Sequence, residues 1–192
     1  MSFCLRLEKL GLPVNHPHIR VYILTEAAAD PAMLARMEFH DTGHRPIWHL
    51  DKLAGMEKYS PWLCEITRDG EFDQWLEGVA DKTPLTVLFS RMTSGELWQH
   101  LRRNSKFAED GRRFFLRMGD PSALRLYTAS LAHQPSSVRH LFADGQIEEL
   151  YFHHPRAELT CRAQPLFEQH LDDAAECEGC LVWIDVPTEE SA

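Results

Sequence analysis

Residues 85–103, LTVLFSRMTSGELWQHLRR, decide the fold class of this 192-residue chain. Leu85-Thr86-Val87-Leu88-Phe89 is β-branched and apolar enough to be a central strand. Thr93-Ser94-Gly95-Glu96 matches a capping box, in which the threonine and glutamate side chains each accept a hydrogen bond from the other residue's backbone N–H. Leu97, Trp98 and Leu101 then recur on one helical face. Arg102 and Arg103 close that helix, where cations suit the negative end of its dipole. A strand handing over to a capped, amphipathic helix marks an α/β chain.

The same alternation extends to both sides. Upstream, Arg20 to Thr25 predicts a buried strand, and Asp30-Pro31 a capped helix start carrying Met33, Leu34 and Met37. His44 to Leu50 predicts a second strand, and Trp62 to Thr67 a third, entered through Ser60-Pro61, where proline keeps Ser60 extended. Glu71 to Val79 predicts a helix with Phe72, Trp75, Leu76 and Val79 on one face. Downstream, Asp110-Gly111 predicts a tight turn and Phe114 to Met118 a returning strand. Asp120-Pro121 repeats the cap-plus-proline start, followed by a short helix around Ser136 to Phe142 and an extended segment over Glu149 to His153. Beyond Pro155 the pattern predicts a helix over Leu166 to Ala175, a loop over Glu176 to Cys180 and an apolar Leu181-Val182-Trp183-Ile184. The fold class expected is α/β, a mixed sheet of about five strands with flanking helices, plus a small C-terminal lobe. The division expected is 1–154 for the main domain and 155–192 for the lobe, with strand order left open.

Composition narrows the function classes. Hydrophobic residues make up 44% of the chain, so it can bury a core without covalent staples. No apolar run approaches the length of a membrane span, and the charged N-terminal stretch is a poor secretory signal. Five cysteines at uneven spacings suit a reducing compartment, so a cytoplasmic location is expected. The net charge of −9 opposes a general nucleic-acid role. Most of it belongs to residues 156–192, whose nine acids and two arginines give −7.

Several words in this order resemble one family, the domain-of-unknown-function family of type VI secretion effector chaperones, also called adaptor or Tap-type proteins. They are Tyr22-Ile23-Leu24 with Ala27; Ser60-Pro61-Trp62-Leu63 with Glu65 and Ile66; Trp75-Leu76; and Leu97 to Arg102. The most specific is Asp110-Gly111-Arg112 with Phe114-Phe115-Leu116-Arg117-Met118-Gly119-Asp120-Pro121. The acidic residue that the family carries soon after its first strand falls on Thr25 or Glu26. The resemblance covers roughly two-thirds of the chain. It implies a non-enzymatic protein that binds a toxic effector and assists its loading onto the valine-glycine-repeat spike protein.

Candidate partner-binding residues are Trp62, Arg117, Asp120, Leu181 and Trp183. Arg117 and Asp120 either organise a partner-binding edge or tie a capped helix start together. Trp62 either contacts a partner or enters the core with its strand. Leu181 to Ile184 either lines a groove for an apolar effector segment or forms an edge strand. No catalytic or metal-binding residues and no cofactor are expected. His40, His44 and His49 with Asp41 and Asp51 lack a metal-binding word. Cys177-x-x-Cys180 lacks a second ligand pair, and no nucleophile elbow or phosphate loop follows a strand. Arg102, Arg103, Lys106, Arg112, Arg113 and Arg117, interleaved with Phe107, Phe114 and Phe115, predict a helix end and hairpin whose alternate phenylalanines are core. The partners expected are the effector and the spike protein, with neither nucleic acid nor membrane. Two other classes fit less well: a toxin-binding immunity protein and a small metal-dependent hydrolase.

Overall fold

A computed structural model, describing residues 2–50, 55–166 and 175–186, shows why residues 85–90 are so apolar. Leu85–Ser90 is strand β4 of the numbering used below, and every one of its residues is buried. It is followed and preceded in the chain by α1 (Phe3–Lys9), β1 (Arg20–Glu26), α2 (Met33–Phe39), β2 (Arg45–Pro46), β3 (Pro61–Glu65), α3 (Glu71–Val79), α4 (Ser94–Asn104), β5 (Lys106–Glu109), β6 (Arg112–Phe115), α5 (Pro121–Ser130), α6 (Pro135–Leu141), β7 (Ile147–His154), β8 (Leu159–Pro165), β9 (Ala175–Glu178) and β10 (Leu181–Asp185). Among the described residues, eight strands form one sheet in the order β2-β3-β1-β4-β7-β8-β10-β9. Each neighbouring pair is antiparallel. Strands β5 and β6 pair only with each other.

Helices cover both faces of the sheet. Val21, Ile23, Val87, Phe89 and Tyr151 pack against α1, α2 and α3 through Phe3, Leu7, Met33, Met37, Phe72 and Leu76. The alternate residues Tyr22, Leu24, Leu88, Leu150 and Phe152 pack against α4, α5 and α6 through Leu97, Leu101, Leu124, Val138 and Leu141. A strand with two covered faces has no polar side to show, so β1 and β4 lose the apolar–polar alternation of a half-solvated sheet.

Local signals are realised where they are self-contained. Thr93 and Glu96 form the reciprocal capping box, and Asp120 caps α5 with proline at its first turn. Asp110 (φ +48°) and Gly111 (φ +75°) supply the two left-handed positions of the β5–β6 turn. Asp30 accepts a hydrogen bond from the Ala32 N–H at 2.7 Å, but the helix proper begins later, at Met33.

Three expectations are corrected. The strand over His44 to Leu50 shrinks to Arg45–Pro46, since Pro46 has no N–H to continue a ladder. The returning strand lies at Arg112–Phe115 rather than Phe114 to Met118. The loop over Glu176 to Cys180 is instead β9 and a tight turn into β10. The helix expected over Leu166 to Ala175 falls almost wholly outside the described residues.

Beyond Pro155, strands β8, β10 and β9 continue the main sheet. The turn between β9 and β10 is held against the end of α5, where the Cys180 N–H donates to the Ala132 carbonyl at 2.7 Å. Gly179 (φ +58°) is required there, because a Cβ would lie 2.2 Å from that carbonyl oxygen. At the other end of the chain, the buried Asp73 carboxylate accepts from the Cys4 and Asp69 N–H groups, both at 2.8 Å. It thereby ties the start of α1 to α3.

Candidate functional site

The segment Arg117 to Asp120 crosses the end of β1 at very short range. A Cβ on Gly119 would lie 2.6 Å from Glu26 Cγ and 2.8 Å from the Thr25 carbonyl carbon, so only glycine permits the approach. That approach delivers Arg117 to Glu26. Arg117 Nε donates to Glu26 Oε1 at 3.0 Å and Nη2 to Oε2 at 2.6 Å, a bidentate pair. Asp120 completes the group in two directions. Its Oδ1 accepts from the Ser122 and Ala123 N–H groups at 2.9 and 3.1 Å, and its Oδ2 lies 3.4 Å from Arg117 Nη1. The Tyr59 ring lies 5.7 Å from the guanidinium. Of the two readings of Arg117 and Asp120, the capped helix start is the one observed, with Asp120 as cap and Arg117 beside it, bound chiefly to Glu26. The acidic residue after the first strand is Glu26; Thr25 instead donates its hydroxyl to the Pro84 carbonyl.

Burial divides this group unevenly. The Glu26 side chain is 5% exposed and that of Arg117 49%. Burial pushes the Glu26 carboxyl above the usual range, and the Arg117 hydrogen bonds pull it back. The same hydrogen bonds push the Arg117 guanidinium further up, so it remains a cation. A cavity of about 160 Å³ opens beside the pair, lined by Glu26, Pro84, Arg117, Asp120, His154 and Arg156.

The hairpin β5–β6 supplies a different kind of surface. Phe107 and Phe114 face each other across the ribbon with ring centroids 5.2 Å apart and nearly parallel. They are 47% and 39% exposed. Phe115 is on the opposite face, half-buried against Trp48 at 5.0 Å, with Lys106 above its ring. As expected of a hairpin whose alternate phenylalanines are core, Phe115 packs against the core while Phe107 and Phe114 do not. Among the described residues no further strand pairs with the ribbon, and alternation sends Phe107 and Phe114 to its exposed face. Arg103, Lys106 and Arg112 are exposed nearby in the chain, and Arg102 lies over Trp98.

The other candidates are dispersed. Trp62 pairs with Thr25 in the β3–β1 ladder, half-buried, its ring 5.5 Å from that of His44. Leu181 is fully buried in the core on the α4–α6 face, and Val182 and Ile184 are buried too, so this run packs rather than lining an open groove. Trp183 is half-buried, with Arg125 over its ring at 5.1 Å and its indole N–H donating to Glu178 at 2.9 Å. Sequence reasoning did not single out Glu26 or Tyr59 as site residues. Their link to Arg117 spans the domain, and the family's acidic position was the one available signal.

Among the described residues, no three His, Cys, Asp or Glu side chains are placed to hold a metal ion. Cys177 is exposed and Cys180 half-buried, both as free thiols. No described helix is long and apolar enough to cross a membrane.

Residues 21–137, from β1 into the start of α6, match the family model of a domain of unknown function, DUF4123. They include the whole Arg117 group and the hairpin, and exclude α1 and the strands from β7 onward. No curated protein and no solved structure matches the chain. The match spans more than half of its length, and the chain belongs to the DUF4123 family of domains of unknown function.

Proposed function

We propose that this chain is a non-enzymatic cytoplasmic adaptor that binds a type VI secretion effector and assists its loading onto the valine-glycine-repeat spike protein. The observation that carries this reading is the β5–β6 ribbon. It holds a stacked, exposed aromatic pair within a basic stretch, inside the family-matched segment. Exposed apolar area with a charged rim is what a protein-binding surface needs, and it calls for no reacting group. The basic flank favours a partner segment carrying carboxylates beside apolar side chains. Arg117, half exposed on its Glu26 anchor, is a second contact point where a partner carboxylate can replace solvent. The words in which the chain resembles type VI adaptors, above all Phe114 to Pro121, coincide with these two places.

The test is co-purification of the tagged chain with effector and spike proteins encoded beside its gene, for the native sequence and for Phe107→Asp/Phe114→Asp. Retention of either partner by the native chain, lost in the variant, with secretion abolished but toxin activity intact on gene deletion, is the expected result. If neither partner is retained and secretion survives deletion, the adaptor reading fails. If expression of the chain instead rescues cells from the toxin, the immunity-protein reading replaces it.

A further inference from the structure

The cavity of about 160 Å³ beside Arg117 has one wall that the family match does not reach. Strand β7 runs beside β4, and its last residue, His154, and the following turn Pro155–Ala157 bring His154 and Arg156 into the lining. The polar groups around this space are spent unequally. Glu26 uses both carboxylate oxygens on Arg117. Asp120 uses one oxygen on the Ser122 and Ala123 N–H groups, and its other oxygen lies 3.4 Å from Arg117 Nη1. What is unspent belongs to the cations. A guanidinium has five N–H donors, and Glu26 takes one from Nε and one from Nη2 of Arg117. Arg156 is exposed, and among the described residues it pairs with no carboxylate.

We propose that this cavity takes a single carboxylate, held between Arg117 and Arg156. A carboxylate has acceptors and no donor, which complements a lining whose free groups are donors, and its plane matches the guanidinium fork. A cation would find only Glu26 and Asp120, both already engaged. A phosphate dianion would add a second negative charge beside those two carboxylates. The space is below the usual range of a small-molecule pocket, so what enters is one functional group carried on a larger body. The carboxylate is therefore an aspartate or glutamate side chain of a bound protein. This deepens the second contact point of the adaptor reading, and it rests on that reading for the source of the carboxylate.

The test is NMR of the arginine Nε–H signals in the full chain, titrated with the blocked peptide Gly-Glu-Gly, with propionate and with neutral propionamide. Saturable shifts of Arg117 and Arg156 with the peptide are expected, but none with propionamide and none at Arg45, which is exposed and outside the lining. In Arg156→Gln, a change at an exposed turn that leaves the fold intact, the affinity should fall at least about threefold. No saturable shift up to roughly 10 mM, equal shifts at Arg45, or unchanged affinity in the variant overturns the site. Tighter binding of propionate than of the peptide overturns the partner side chain as its source, in favour of a free small acid. Co-purification of effector or spike without carboxylate binding overturns this proposal and not the adaptor reading; carboxylate binding with neither partner retained does the reverse.

Discussion

Glu26 on β1 and Glu149 on β7 flank the central strand β4, face opposite sides of the sheet, and each binds an arginine through two nitrogens. Their surroundings differ. Glu149 is 2% exposed and its partner Arg162 12%. Gln164 donates to the same carboxylate at 3.2 Å, and Arg162 Nη2 reaches the Gly11 carbonyl at 3.3 Å, so the group is closed from every described side. Glu26 is equally hidden, but Arg117 is 49% exposed and borders a cavity. The closed pair lies outside the family-matched segment and the open pair inside it. One chemistry thus serves two purposes according to packing. Where both partners are buried, neither can leave without stranding a charge; where the cation is half in water, it can take a second partner while still holding the buried one.

The comparison breaks most readily at its closed end. Arg162→Met strands Glu149 beside a lone amide and is expected to cost about 3–5 kcal/mol, read from urea unfolding midpoints. The double variant Arg162→Met/Glu149→Leu should recover much of that loss, and a single-variant cost below about 1 kcal/mol would erase the distinction between the two pairs. Each pair also has a glycine beside it. Gly119→Ala drives a Cβ into Glu26 and the Thr25 backbone and is expected to cost about 1–3 kcal/mol through steric displacement. Gly11→Ala, whose Cβ would sit 3.7 Å from Arg162 Nη1, should cost about 1–2 kcal/mol through its left-handed backbone alone.

Arg117→Met is expected to cost less than Arg162→Met, about 1–2 kcal/mol near neutral pH, because the guanidinium removed is half exposed and its loss opens Glu26 toward the adjoining cavity. This cost has a pH signature. Burial raises the folded-state Glu26 carboxyl above its unfolded value, so its contribution to stability is full at low pH and is lost as pH rises through the folded value. Removing Arg117 raises that carboxyl further. The difference between variant and native chain should therefore be smaller near about pH 5 than near about pH 7.5, and equal differences at both would refute the coupling. The smallest effect is that of salt. In about 1 M salt the Arg117–Glu26 coupling from a double-mutant cycle should fall by a few tenths of a kcal/mol, while the Arg162–Glu149 coupling holds.

What could be read from residue order was what closes over a few residues. The Thr93–Glu96 box, the Asp120-Pro121 start and the Asp110-Gly111 turn each satisfy backbone groups within one turn, so their residues announce them without help. The apolar runs at Tyr22–Leu24 and Leu85–Phe89 likewise declared themselves, since only a strand covered on both faces is apolar throughout. The family words pointed to Arg117 and Asp120, and left the acidic partner between Thr25 and Glu26.

The rest depended on contacts between distant residues. Strand β9, Ala-Glu-Cys-Glu, has no apolar pattern to signal it and exists by pairing with β10. Alternation put Phe114 and Phe115 on opposite faces of a ribbon, but which face found cover was a matter of what packs on it. Arg117 and Glu26 are 91 positions apart, and Asp73 reaches Cys4 across 69. Local chemistry therefore declares an α/β chain, while the family enters through the resemblance carried by the words from Tyr22 to Pro121. Which arginine is sealed and which is open are set by burial, and burial is a property of the assembled sheet and its two helical layers.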